Sequence, residues 1–317
     1  MKATKNLSFL LILLSLGACQ NDDTEDTDTT TTTNYTYSKG VNQTRGACNE
    51  TLTFTSRFTQ SVSGTNKIFT SNSIPSHKVG LFGSVSGSIN PNAISEQSLS
   101  LNVPANPVAA STYKPLLDIA NKTLYEFGIL LNGVELDPVA AEPFPHKGSM
   151  DPEANWEWNL EALNVAIGLD CNNAHVQPTG KYHYHSSPVG YLASLGTLTN
   201  KMTLVGYAAD GFPVYYKYAY SSATNSSSAV VAMTSSFRLK SGTRPGDGVT
   251  APNGTYNGVY SNDYEYVSGL GTLDIANGRT GVTPEYPNGT YYYIITEEFP
   301  SIPRYFRGTP STSFKIF

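Results

Sequence analysis

The chain has 317 residues, 20 of them basic and 25 acidic, for a formal net charge of −5 and a charged fraction of only 14%. No basic run or stripe is available to neutralise phosphates, which argues against a nucleic-acid partner. Beyond the N-terminal region, no apolar run is long enough to span a bilayer.

Lys2 and Lys5 precede an apolar run from Leu7 to Leu16, followed by Leu16-Gly17-Ala18-Cys19. A hydrocarbon core needs roughly 20 apolar residues, so this shorter run reads as the h-region of a cleaved signal peptide over residues 1–18. Small residues before the cysteine form a lipobox and predict acylation of Cys19, hence attachment to a membrane through lipid. Residues 19–46, with five acids between Asp22 and Asp28 and then a threonine tract, are too polar to bury anything and read as a solvated tether. Removing the signal and tether leaves 16 basic and 20 acidic residues, a globular part with only a small acidic excess.

With Cys19 acylated, Cys48 and Cys171 remain in a compartment beyond the cytosolic reductants. They can pair in a disulfide, or Cys171 can join nearby histidines as a metal ligand.

Residues 47–317 show no internal linker and are read as one domain. A composition rich in Gly, Thr, Ser, Asn and Tyr favours short strands joined by turns, giving a mainly β, sandwich-like fold with one or two short helices. Alternation predicts strands over Thr51 to Thr59 and Ser98 to Val103. Leu124 to Leu131 is an apolar strand closed by Asn132-Gly133, a dipeptide that tolerates the positive φ of a tight turn. Further strands are expected at 205–207, 214–218, 230–239 and 291–296. Trp156, Leu160, Leu163 and Ile167 fall at helical spacing between Asp151-Pro152-Glu153 and Gly168, predicting a helix. A second short helix is expected from Ser187-Pro188.

A buried repeat aligns Leu169-Asp170-Cys171-Asn172-Asn173-Ala174-His175 with Leu273-Asp274-Ile275-Ala276-Asn277-Gly278-Arg279. It continues as Pro178 to His185 against Pro287 to Ile294. Each copy reads as a turn, a loop closed by Pro and Gly, then an aromatic strand. His175, His183 and His185 become Arg279, Tyr292 and Ile294 in the second copy, so the scaffold does not need the histidines. Their concentration in one copy suggests a site there.

Three of the chain's five histidines lie within eleven residues. Side chains two apart on a strand share a face, about 7 Å apart at Cα, so His183 and His185 can reach one ion and His175 can return across the intervening turn. Tyr182 and Tyr184 then face the other side. Neutral imidazole suits zinc or copper, and a fourth coordination position can stay open. Asp170 and Asp210 are candidates for orienting the imidazoles through their second ring nitrogens. Two other readings stand beside the metal: a histidine pair packed among tyrosines, and acid-base chemistry without a metal. Turn-forming is the simpler role for both aspartates. His77 and His146 read as surface or loop residues. No Gly-x-Ser-x-Gly elbow or phosphate loop is present, and Cys171 lacks a neighbour that would lower its pKa. Trp156 and Trp158 can stack on sugars or serve the core.

His175-Val176-Gln177-Pro178-Thr179-Gly180-Lys181-Tyr182-His183-Tyr184-His185 and Val205-Gly206-Tyr207-Ala208-Ala209-Asp210-Gly211-Phe212-Pro213-Val214-Tyr215 resemble the signature of the YHYH proteins. So do Leu131 to Val134 with Asp137-Pro138, Asn277 to Tyr291, and Arg307-Gly308-Thr309-Pro310. The resemblance runs from about Tyr125 to the C-terminus and implies secretion; it implies no established activity, substrate or metal. Tyr292-Tyr293-Ile294 departs from the pattern, since related sequences can carry a histidine there. The acidic stretch after Cys19 also resembles the export signal of bacterial surface lipoproteins, which implies display on the outer membrane. The sequence thus leads to an envelope lipoprotein that binds zinc or copper, or alternatively to a recognition module for glycan or protein.

Overall fold

The computed structural model describes residues 44–317, which lie within one compact unit. The signal peptide, Cys19 and most of the tether fall outside the described residues. Arg45 and Gly46, placed in the tether by composition, already belong to the fold. Gly46 donates its N–H to the Leu169 carbonyl at 2.9 Å. Arg45 bonds the Asn173 side chain and the Leu163 carbonyl, each at 3.0 Å.

The fold is mainly β. A three-stranded antiparallel sheet comprises β1 (Phe58–Ser63), β2 (Asn66–Ser71) and β3 (Leu99–Pro104). The principal sheet has eight strands: β4 (Gly128–Leu130), β5 (Glu135–Leu136), β6 (Ala174–Val176), β7 (Tyr182–Tyr184), β8 (Thr203–Ala208), β9 (Pro213–Tyr216), β10 (Gly278–Gly281) and β11 (Thr290–Ile295). Their spatial order is β6-β7-β5-β4-β8-β9-β11-β10. Phe69 of β2 stacks on Tyr207 of β8 at 5.7 Å, and Lys67 sits over the same ring, joining the two sheets in one core.

That order is symmetric about the antiparallel β4–β8 pair. On each side a tight hairpin, β4–β5 or β8–β9, lies next to the centre. Its outer strand pairs in parallel with β7 or β11, and an antiparallel partner, β6 or β10, closes the edge. The repeat therefore spans four strands per copy, beyond the segment in which sequence similarity is visible. Turns Asn132-Gly133 and Asp210-Gly211 are equivalent: the glycines have φ of 81° and 92°, and each donates to a carbonyl three residues back at 2.9 Å. Asn132 Nδ2 donates to the Tyr184 hydroxyl at 2.9 Å, and the Tyr293 hydroxyl donates to Asp210 Oδ2 at 2.5 Å. Likewise the Tyr182 hydroxyl donates to Asp170 at 2.8 Å and the Tyr291 hydroxyl to Asp274 at 3.0 Å. Asn173 and Asn277 both adopt positive φ, and their carbonyls accept from His185 and Ile294 at 2.8 and 2.9 Å.

Several local expectations are corrected. Residues 151–168 do not form a helix: Asn155–Asn159 is a strand paired with Pro143–Phe144, and only Ala162–Asn164 makes a 3-10 turn. Leu160 and Leu163 still share a core cluster because one turn brings positions three apart together. Glu161 and Asn164 are buried as well, and their tertiary partners override the helical period: Arg304 for Glu161, and Gly258 with Tyr264 for Asn164. Asp151 caps the N–H of Glu153 at 2.7 Å in a local turn instead of starting a helix. Of Thr51 to Thr59, only the last two residues enter a strand, because the Asn72 side chain takes the Arg57 N–H and the Thr55 carbonyl in place of a ladder partner. The expected strand at 230–239 is split into Val230–Ala232 and Phe237–Leu239, which pair with different partners. The helix expected from Ser187-Pro188 is present as α1 (Val189–Ser194).

Asp210 is fully enclosed and holds the closing loop through Tyr293 and the Gly308 N–H. Replacing Tyr293 with Phe removes one donor from this carboxylate and should lower stability by about 1–3 kcal/mol in urea unfolding. A loss below about 0.5 kcal/mol, the scale of ordinary surface substitutions, would show that the tyrosine–aspartate bond does not hold the repeat together.

Candidate metal centre

Strand β7 positions the site by alternation. Tyr182 and Tyr184 point to one face, where Tyr182 is held by Asp170. The Tyr184 hydroxyl lies between Asn132 Nδ2 and His77 Nε2, the latter at 2.5 Å. His183 and His185 therefore project from the opposite face. His175 on β6 is the direct cross-strand partner of His183. The three Nε2 atoms converge: His183 to His185 at 3.0 Å and His185 to His175 at 3.1 Å, with all three within 4.8 Å of one another. For metal–nitrogen bonds near 2.0–2.1 Å, the 3.0 and 3.1 Å spacings on either side of His185 subtend about 95° at a shared ion, between octahedral and tetrahedral angles. The three residues could hold a metal ion.

Hydrogen bonding orients the rings. His175 Nδ1 lies 3.0 Å from the Ile167 carbonyl, and His183 Nδ1 lies 3.4 Å from that of Lys181. A carbonyl only accepts, so both rings carry their proton on Nδ1 and turn an Nε2 lone pair inward. His185 Nδ1 is buried beside the Pro138 carbonyl, which biases the ring but is not placed for a hydrogen bond. With its proton on Nε2, His185 can satisfy only one neighbour well and leaves Nδ1 unpaired; with its proton on Nδ1, three lone pairs face one point. Neither arrangement of three neutral rings satisfies every nitrogen without a further group.

His183 and His185 are buried, and desolvation holds both well below the usual imidazole range, aided by the charge of neighbouring His175. His175 is half-buried and shifted the same way by desolvation. It is the most accessible member of the cluster.

The orienting groups are thus backbone carbonyls; neither Asp170 nor Asp210 bonds a histidine. Asp170 lies on the tyrosine face, accepting from Tyr182, the Gly80 N–H and the Asn172 N–H. Asp210 lies in the other half of the repeat, bonded to Tyr293, Gly308 and Phe212. Cys48 and Cys171 form a disulfide, which removes Cys171 from the ligand set and ties the N-terminal segment to the histidine-bearing loop. His77 is not a free surface residue, because it closes the chain from the Lys78 carbonyl to Tyr184. His146 bonds the Tyr260 hydroxyl at 3.1 Å and takes no part in the cluster.

Other charged groups beside the site left no trace in the histidine pattern. Glu135 is the register partner of His183, and Lys181 joins it to Glu126. Burial and the Glu126 charge raise the Glu135 carboxyl well above its ordinary range. Asp137 accepts from Gln177 through Oδ2 at 3.2 Å, leaves Oδ1 unpaired, and is pushed up to about 8 by burial and Glu126. Lys181 stands directly before the tyrosine-histidine run and offered the one available sequence signal. The acids come from β5 and the segments flanking β4 and β5, about 40 to 55 residues earlier in the chain.

In the repeat's other half, Arg279 donates to Tyr292 at 2.6 Å where His175 faces His183. A cation bonded to a phenol replaces the converging nitrogens.

A sequence profile of the YHYH protein family matches residues 100–308, two thirds of the chain and all of the histidine site. The chain belongs to the YHYH family. Comparison with curated proteins and with solved structures found no match.

The histidine environment sets a pH dependence. Below about pH 6.5 the unfolded chain protonates His183 while the folded protein resists, so stability is full above that pH and declines as pH falls. In metal-free protein, His183→Asn should flatten the stability–pH slope between pH 4.5 and 6 by about 1.4 kcal/mol per pH unit. Asp137 acts oppositely, favouring the fold below about pH 8, and is common to both proteins. Equal slopes from urea unfolding would contradict burial of a neutral His183.

Proposed function

We propose that this YHYH protein is an envelope-anchored metal-binding protein that holds a zinc or copper ion on His175, His183 and His185. The convergence of three buried or half-buried Nε2 atoms carries the reading: His185 lies about 3 Å from each of the other two and all three are within 4.8 Å, so that a cation could accept their lone pairs together. Ile167 and Lys181 fix the ring orientations, as outer-sphere carbonyls do in metal sites. Three neutral protein ligands leave a coordination position for water or a ligand molecule. The envelope location rests on the lipobox at Cys19 and its acidic tether. A Cys48–Cys171 disulfide accords with a compartment outside the reducing cytosol. Among the described residues no helix is long and apolar enough to cross a membrane.

A second reading, a recognition module for glycan or protein, draws on Trp156. This side chain is half-buried 5.6 Å from Phe317, on the wall of an open cleft of about 830 Å³. Trp158, packed at 5.8 Å against Tyr260, belongs to the core and takes no part. Saturable quenching of tryptophan emission by added polysaccharide would favour this alternative.

Elemental mass spectrometry of the mature domain, purified without a histidine tag, should find about one zinc or copper per chain. The variant with alanine at positions 175, 183 and 185 should contain none. A metal present at a thousandfold its Kd should stabilise the wild type by about 4 kcal/mol. That gain should disappear in the variant, and also below about pH 6 as protons compete for the imidazoles. A metal-free protein that fails to take up added zinc or copper, or equal uptake by the variant, would overturn the proposal.

A further inference from the structure

Beside the histidine cluster lies a second chamber of different chemistry. A cleft of about 450 Å³, within the usual range for small-molecule sites, is lined by Val139, Glu157, Asn159, Tyr264, Phe299 and Arg304 among others. Its strand wall runs from exposed Glu157 to buried Asn159, which gives the cleft an outer rim and an inner end. Phe299 and Tyr264 stack at 3.9 Å to form an apolar side.

Arg304 is the informative residue. Its Nη2 is bound to Glu161 at 2.8 Å, while Nε and Nη1 are buried without an acceptor. Glu161 is already committed elsewhere, accepting from Ser261 at 3.0 Å, and cannot serve all three nitrogens. Val139 connects the cleft to the histidines: it follows Pro138, whose carbonyl faces the His185 ring, and stands two residues after Asp137 with its unpaired Oδ1. The Ser186–Ser301 contact at 2.6 Å ties the segment after His185 to the loop that carries Arg304.

We propose that this cleft binds a small anionic molecule with an apolar body, its carboxylate or phosphate head on Arg304 and its body along Phe299 and Tyr264. An anion supplies an acceptor to one of the unpaired guanidinium nitrogens and, through the second Nη2 hydrogen, completes the planar, bidentate fork to which arginine is suited. Glu157 repels a negative head at the rim and so orients it inward. Capture of the anion by Arg304 stands independently of the metal. Only the expected tightening on metal loading rests on the metal reading, since three neutral histidines leave an ion's charge uncompensated.

Calorimetric titration with benzoate, phenyl phosphate and neutral benzamide, on metal-free and on zinc-loaded protein, tests this. Benzoate or phenyl phosphate should bind the metal-free protein about tenfold or more tightly than benzamide, the contribution of one charge-assisted hydrogen bond. The double variant Arg304→Met with Glu161→Gln removes both buried charges together and should abolish that preference. Glu157→Lys alters only an exposed side chain, so folding is not at issue, and it should tighten the anions but not benzamide. No saturable binding, equal affinity for benzamide, an intact preference in the double variant of Arg304 and Glu161, or indifference to Glu157→Lys would each overturn the proposal. Anion binding without a zinc effect would retain the cleft and count against the metal.

Discussion

The tyrosine hydroxyls of strand β7 fix the orientation on which the site depends. Tyr182 is held by Asp170, and Tyr184 sits between Asn132 and His77, all on one face of the sheet. Because a strand alternates, holding the tyrosines there commits His183 and His185 to the opposite face, and register then brings His175 against them. A one-residue slip would bury histidines among the apolar partners of the tyrosines and strand two phenols in a polar chamber. The motif is thus a two-sided element, with phenols that anchor and imidazoles that present nitrogen.

The pseudo-symmetry of the sheet separates scaffold from site. Both halves keep an Asx-Gly hairpin facing a tyrosine hydroxyl, an aspartate accepting from the first tyrosine of the outer strand, and an asparagine at positive φ. What differs is the face turned away from these anchors. One half presents three imidazoles; the other presents Arg279 on Tyr292 and a buried Ile294. Since the second half folds with no histidine on this strand, the three imidazoles are not a requirement of the sheet.

The sequence made parts of this architecture legible. Two histidines two residues apart on a strand imply one face, and the repeat supplied a turn across which His175 could return; both inferences depend only on local geometry. The Asn132-Gly133 turn was legible for the same reason. Tertiary partners hid the rest. Trp156 to Ile167 has a helical period, yet Glu161 and Asn164 within it are buried by Arg304, Gly258 and Tyr264 from far along the chain. Asp170 reads as an outer-sphere candidate through its place on the loop leading to His175 and Asp210 through its Asp-Gly-Phe-Pro segment, whereas the fold points both at tyrosines. Glu126, Glu135 and Asp137 come from segments that look apolar, and nothing local announces that Lys181 gathers two of them.

The central claim is that one face of the tyrosine-histidine strand, with its cross-strand neighbour, forms a three-imidazole ligand set. X-ray absorption at the zinc edge of the zinc-loaded domain tests it most directly. The account predicts three imidazole nitrogens near 2.0 Å with outer-ring scattering, completed by a light atom from water or a bound anion. Fewer than three imidazoles, or a sulfur at about 2.3 Å, would contradict it.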